Sequence, residues 1–139
     1  MSDVIKFRSN GVNLSAQIGR VVVLENDDAT GRSSGLINLA GAAAGTAAAR
    51  PLGILVSAED ALTGECTVCV HGFCLAMLGG AITLGANTIL KSDAASELVA
   101  AAATDGVWSV GYFLSERGSD GVDGRLARVF VNPQRLVAA

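Results

Sequence analysis

Gly31-Arg32-Ser33-Ser34-Gly35 has the spelling of a G-x-S-x-G nucleophile elbow, a strained turn that presents a serine hydroxyl to an ester or amide carbonyl. With Asp60 and His71 it follows the Ser, Asp, His order in which one hydrolase class supplies nucleophile, orienting acid and base. That chemistry requires a sharp turn between a buried strand and a helix. Here the motif follows the polar stretch 25–30 and precedes Leu36-Ile37-Asn38-Leu39, which has the composition of a strand. The chain is also too short for that hydrolase fold. The motif therefore reads as a Gly/Ser turn.

Cys66, Cys69 and Cys74 flank His71, a donor set that zinc accepts when four ligands converge tetrahedrally. Side chains on a strand alternate faces, so Cys66 and Cys69, three apart, point to opposite sides. Neither paired C-x₂-C modules nor a knuckle spacing is present. The three thiols read instead as reduced, small core hydrophobes, in keeping with an odd cysteine count. His71 is the one histidine, and with no carboxylate paired to it in sequence it reads as a packed or strand-edge residue.

Asp27-Asp28 and Asp120-Gly121-Val122-Asp123-Gly124 lack the regular acidic alternation and closing Glu of a calcium loop, and read as solvated hairpin tips. Gly41-Ala42-Ala43-Ala44-Gly45 lacks the Lys-Ser/Thr of a phosphate-binding loop. The residues thus suggest no catalytic, cofactor or metal site, and the expectation is a protein that is not an enzyme and needs no cofactor.

The elements around these residues are short. The chain has 139 residues and a formal net charge of −3, the size of one domain. Folding at this mass buries roughly two-thirds of the surface of the unfolded chain, enough for a core without disulfides or metals. Hydrophobic residues make up 50% but aromatic residues only 4%, so the interior should be thin and built from small side chains. A nucleic-acid groove needs clustered Lys and Arg to displace counterions, and no basic stripe exists. Mean hydropathy is high, +0.46. The 25 residues between Glu65 and Lys91 carry no formal charge, which meets the length of a membrane span. Gly72, Gly79, Gly80 and Gly85 interrupt that run and Thr67-Val68-Cys69-Val70 is β-branched, so it reads as buried strands with turns. The first residues show no apolar segment of a secretory signal. A soluble protein made in the cytoplasm is expected.

Strand-like runs recur at 21–25, 36–40, 52–57, 66–73, 81–84, 88–91, 97–101, 108–115 and 126–131, separated by Gly, Asp, Asn and Ser clusters. The spacing predicts an all-β fold, a small barrel or sandwich of short antiparallel strands. One or two helical turns at most are expected, at 42–49 or 78–82. Gly53-Ile54-Leu55-Val56-Ser57 leads through a polar turn to Cys66-Thr67-Val68-Cys69-Val70, and Gly111-Tyr112-Phe113-Leu114-Ser115 leads likewise to 126–131. Two hairpins of similar plan, related by pseudo-symmetry, are expected. Residues 1–19 read as an extended N-terminal arm poor in internal partners, and 20–139 as one β domain with a short C-terminal tail. Pro133 is expected to end the last strand.

The order of several of these features resembles the small capsid decoration, or cement, proteins of tailed bacteriophages. Pro51-Leu52-Gly53-Ile54-Leu55 is similar to that family's P-x-G-apolar strand, and Gly64-Glu65-Cys66-Thr67-Val68-Cys69-Val70-His71-Gly72 to its G-E-x-V-x-V-x-x-x-G strand. Gly80-Ala81-Ile82-Thr83-Leu84-Gly85 with Lys91-Ser92-Asp93-Ala94-Ala95 is similar to its turn, and Val110-Gly111-Tyr112-Phe113-Leu114 with 126–131 to its closing strands. Three features depart from the family. Ser96 stands where it often has Gly, Tyr112-Phe113 is bulkier than its usual residues, and the arm is unusually polar.

The resemblance implies a virion protein on the outer surface of a phage head, made in the host bacterial cytoplasm. It implies a homotrimer whose partners are the major capsid protein and its own copies, with neither nucleic acid nor membrane bound directly. The arm around Ile5, Phe7 and Arg8 is the expected capsid contact. The alternative is another virion β module, a tail-tube, head-fibre or spike component.

Overall fold

The computed structural model describes residues 2–9, 14, 16–26, 33–41, 50–58, 65–85, 88–102, 108–115 and 118–136. Their regular structure is β throughout: β1 (Ser2–Ser9), β2 (Val21–Asn26), β3 (Ser33–Leu39), β4 (Gly53–Ala58), β5 (Glu65–Met77), β6 (Ile89–Ser92), β7 (Leu98–Ala101), β8 (Trp108–Ser115) and β9 (Leu126–Arg135). They form one sheet in the order β1-β3-β2-β4-β5-β9-β8-β6-β7, and β1 pairs again with β5. That second pairing closes β1, β3, β2, β4 and β5 into a five-stranded barrel, with the other four strands outside it. The all-β expectation holds. Closure also removes two sheet edges that would otherwise stand open.

Two cores explain why the strands read as continuous apolar runs. Val22, Ile37, Leu55, Cys66 and Val68 pack together inside the barrel with Leu14. Val21, Ile54, Cys69, Leu78, Leu90, Leu98, Val110, Phe113, Val129 and Val131 pack together between the barrel and the outer strands. Neighbours such as Val21 and Val22, Ile54 and Leu55, or Val68 and Cys69 point to opposite faces. At Val21 and Val22 of β2, Ile54 and Leu55 of β4, and Val68 and Cys69 of β5 both faces are buried, so alternation of apolar and polar residues disappears there. Each such Val, Leu or Ile contributes about 1.5–3 kcal/mol of transfer free energy.

The two expected hairpins both form, and they match in detail. Ile54 pairs with Cys69 and Leu55 with Val68; Tyr112 pairs with Phe130 and Phe113 with Val129. The register shifts at the same point of each motif, between Leu55 and Ser57 and between Phe113 and Ser115.

Several expectations are corrected. Within 1–19, residues 2–9 form β1, which pairs antiparallel with β5 from Ser2 opposite Gly72 to Arg8 opposite Glu65, and parallel with β3 at Arg8 and Ser9. Its partners lie within the chain, some sixty residues away, which isolated apolar residues do not reveal. Pro133 does not end β9: Ser109 pairs with Gln134 and Trp108 with Arg135 beyond it. The register slips between Ser109 and Gly111, giving β9 one residue more than β8 around Asn132 and Pro133. A bulge leaves a backbone N–H unpaired, which is what proline requires. The strand expected at 81–84 shrinks to a single bridge between Ile82 and Gly121, and 78–82 holds no helical turn, Leu78 bridging Leu98 instead. The segment 42–49 lies outside the described residues.

One turn fastens the outer strands to the barrel. Asp93 Oδ1 accepts the N–H groups of Ala95 and Glu97, both at 2.9 Å, closing the β6–β7 hairpin. Ser96, buried within it, takes the left-handed φ of 64°. Its Oγ accepts the Gly41 N–H at 2.7 Å and its carbonyl accepts the Val21 N–H at 2.8 Å. Arg20 donates to the Ala95 carbonyl at 3.0 Å and lies 3.8 Å from Glu97.

Candidate functional site

The residues that could do chemistry are not brought together as a catalytic group among the described residues. Ser33 opens β3 opposite Asn26 of β2, a strand position rather than a strand-to-helix turn. Gly31, Arg32, Asp27, Asp28 and Asp60 lie outside the described residues. His71 stands on β5 with its side chain 53% exposed, Nδ1 3.9 Å from Asp3 Oδ2 and its ring edge-on to Phe130 at 5.2 Å. That is a solvated surface pair.

The cysteines follow the alternation argument in part. Cys66 faces the barrel core and Cys69 the outer core, on opposite sides of β5. The spacing of Cys69 and Cys74 should also put them on opposite faces. A register shift opposite Asp3 and Val4, together with Gly72 at φ 103°, resets the alternation, and the two thiols hydrogen-bond. The bond from Cys74 lowers the pKa of Cys69 against the opposing effect of burial. The same bond, with burial, raises that of Cys74. Among the described residues no three His, Cys, Asp or Glu side chains gather closely enough to hold a metal ion.

What the fold does build is an exposed apolar face. Beyond Gly72, β5 leaves the barrel wall and pairs with β9, which pairs in turn with β8. His71, Phe73 and Leu75 face outward on β5, alternating with Gly72, Cys74 and Ala76. Register aligns Phe73 with Phe130 and Phe130 with Tyr112, so three aromatic rings span three strands. Phe73 and Phe130 meet edge to face with centroids 5.1 Å apart, the favoured geometry for aromatic pairs. Phe73 nevertheless stays 54% exposed, Leu75 51% and Leu114 38%. A shallow groove of about 380 Å³ runs between Phe73, Tyr112, Phe113, Leu114 and Phe130. Arg128 stands exposed in the next row, opposite Leu75 on one side and Ser115 on the other.

Exposed apolar surface of this kind, rimmed by polar groups, is the kind that binds proteins, membranes or ligands. Sequence reasoning did not single out this face. Its signal was the bulk of Tyr112-Phe113 and the period-two spacing of His71, Phe73 and Leu75.

The expected contact residues lie on β1. Ile5 is 49% exposed and Val4 51%, although they point to opposite faces. Arg8 is exposed, while Phe7 is half-buried against the barrel core.

No protein-family model matches the sequence, and no curated protein matches it significantly. A solved structure does: the head fiber gp8.5 N base of bacteriophage phi29, with a TM-score of 0.59 at 16% identity. The folds are alike. The likeness covers 95% of this chain and 95% of that one, so it takes in the barrel and the outer strands together.

Proposed function

We propose that this chain is a structural, non-enzymatic component of a phage virion, located at the outer surface of the head. The observation that carries this reading is the end-to-end likeness of fold to a phage head-fibre base. The ordered motifs shared with capsid decoration proteins point the same way.

In the finer form of the proposal, the chain decorates and stabilises the head by bridging major capsid protein subunits as a homotrimer. Ile5, Phe7 and Arg8 of β1 form the capsid contact, with Ile5 and Arg8 at the surface to meet it. A thin, Gly- and Ala-rich domain gains stability from binding a partner in the folded state. Co-sedimentation with heads lacking the protein tests this. Ile5→Asp with Arg8→Glu should release the chain from heads while leaving its thermal transition in place. Full binding by that variant would remove β1 from the contact, and no binding by the unaltered chain would remove the head.

The second reading, a head-fibre base, is favoured by the identity of the structural neighbour. It predicts a further fibre segment joined to the chain or bound on it. Negative-stain images of virions labelled with antibody against the chain separate the two: a fibre at each label favours the second, a smooth lattice of labels the first.

A further inference from the structure

The β8–β9 layer exposes apolar surface on both sides, with Arg128 standing on one, away from the Asp3 carboxylate beside His71, and two carboxylates on the other. One side is the aromatic face, where Arg128 sits among Phe73, Leu75, Tyr112, Leu114 and Phe130. On the other, the bridge between Ile82 and Gly121 holds a flap that presents Leu84, 40% exposed, and Val122, 44% exposed. The exposed carboxylates of Asp120 and Asp123 flank Val122. Asp120 secures the flap by accepting the Leu84 N–H at 2.8 Å. Arg125 beside them is already engaged within the chain.

That the sides are opposite follows from Phe113. It alternates with Tyr112 and Leu114, so it points into the core, and a Cβ at Gly121 would stand 3.0 Å from its ring. The flap therefore covers the core-facing side of β8 while Tyr112 and Leu114 face the other way.

We propose that the aromatic face docks a second copy of this chain, which inserts its Leu84 and Val122 flap with the acidic flank toward Arg128. The inference rests on the virion reading and names the partner of that surface. Charge complementarity selects this occupant. Flap against face sets carboxylates against the guanidinium and apolar side chains against rings. Phe73 alone would take on the order of 100 Å² out of water. Because the two surfaces differ and lie on opposite sides, the contact is head to tail, and such contacts close into rings when the rotation permits.

Sedimentation velocity on the full chain without heads, over a range of concentrations, tests the inference. The unaltered protein should self-associate. Phe73→Ser should weaken association about tenfold or more with its thermal transition retained, because that ring is half in water already. Arg128→Glu and Asp123→Arg should each weaken it about tenfold or more, and the two together in one chain should restore it. A monomer at every concentration overturns the inference, as does an oligomer indifferent to these changes. Loss without recovery in the double variant assigns Arg128 a different partner and overturns it too. Head binding is read separately: a monomer that still binds heads sinks this inference alone, whereas a self-associating chain that ignores heads sinks only the virion reading.

Discussion

Gly53 and Gly111 occupy equivalent points of two hairpins, each pressed against a carbonyl oxygen of its partner strand, that of Cys69 for Gly53 and of Phe130 for Gly111. A Cβ on either glycine would overlap that oxygen, so both positions exclude every side chain. The repeat seen in sequence thus has a physical cause. Each hairpin needs the same close approach of backbones at the same distance from its bulge.

Alanine at these positions should therefore be unusually costly for an added methyl group. Gly53→Ala and Gly111→Ala should each destabilise the fold by about 3 kcal/mol, lowering Tm by roughly 10 °C. Thermal unfolding followed by circular dichroism measures it. Variants melting with the unaltered chain would show that the strands part easily at these points.

Ser96 separates two opposing effects. Its left-handed backbone costs about 1–2 kcal/mol for a residue other than glycine, while its Oγ satisfies the Gly41 N–H. Ser96→Gly relieves the first and loses the second, so stability should change by less than about 1 kcal/mol. Ser96→Ala keeps the strain and loses the bond, and should cost about 2 kcal/mol. Chemical denaturation distinguishes them; equal losses in both would mean that the backbone is unstrained.

The thiols should be inert in the folded protein and release together on unfolding. Cys66 and Cys69 are buried, and Cys74 is held protonated by its bond to Cys69 and by burial. Ellman titration at about pH 8 should find few reactive thiols in the native chain and all 3 in denaturant. Cys69→Ala removes the group that raises the pKa of Cys74. The Cys74 thiolate should then form at lower pH and react faster. An unchanged rate would mean that access, not ionisation, protects it.

Pro133 sits at a bulge and gives up no ladder bond, so Pro133→Ala should alter stability by less than about 1 kcal/mol. Val131→Pro, two residues earlier and between Gly72 and Gly111, should cost about 3 kcal/mol or more. Urea midpoints for the pair decide it, and a large loss in Pro133→Ala would mean that the ring itself supports β9.

Local order determined much of this protein. The β-branched runs, the Gly and Asp turns and the doubled Gly-three-apolar-Ser motif specified strands and two hairpins, because pairing between chain neighbours needs little beyond apolar runs and a turn. Ser96 was visible in sequence only as a departure from a position that often holds glycine; its left-handed backbone came from the structure.

Only the tertiary structure decided which strands meet across long distances and which faces meet water. The closure of β1 onto β5, the bulge that joins Cys69 to Cys74, and the passage of β9 through Pro133 all depend on partners far along the chain. Phe73 and Val68 lie in one apolar run of one strand, yet Val68 is fully buried and Phe73 is half exposed. Alternation along a strand says that two faces exist. Which of them is covered depends on the layers that pack against it, and those come from the whole chain.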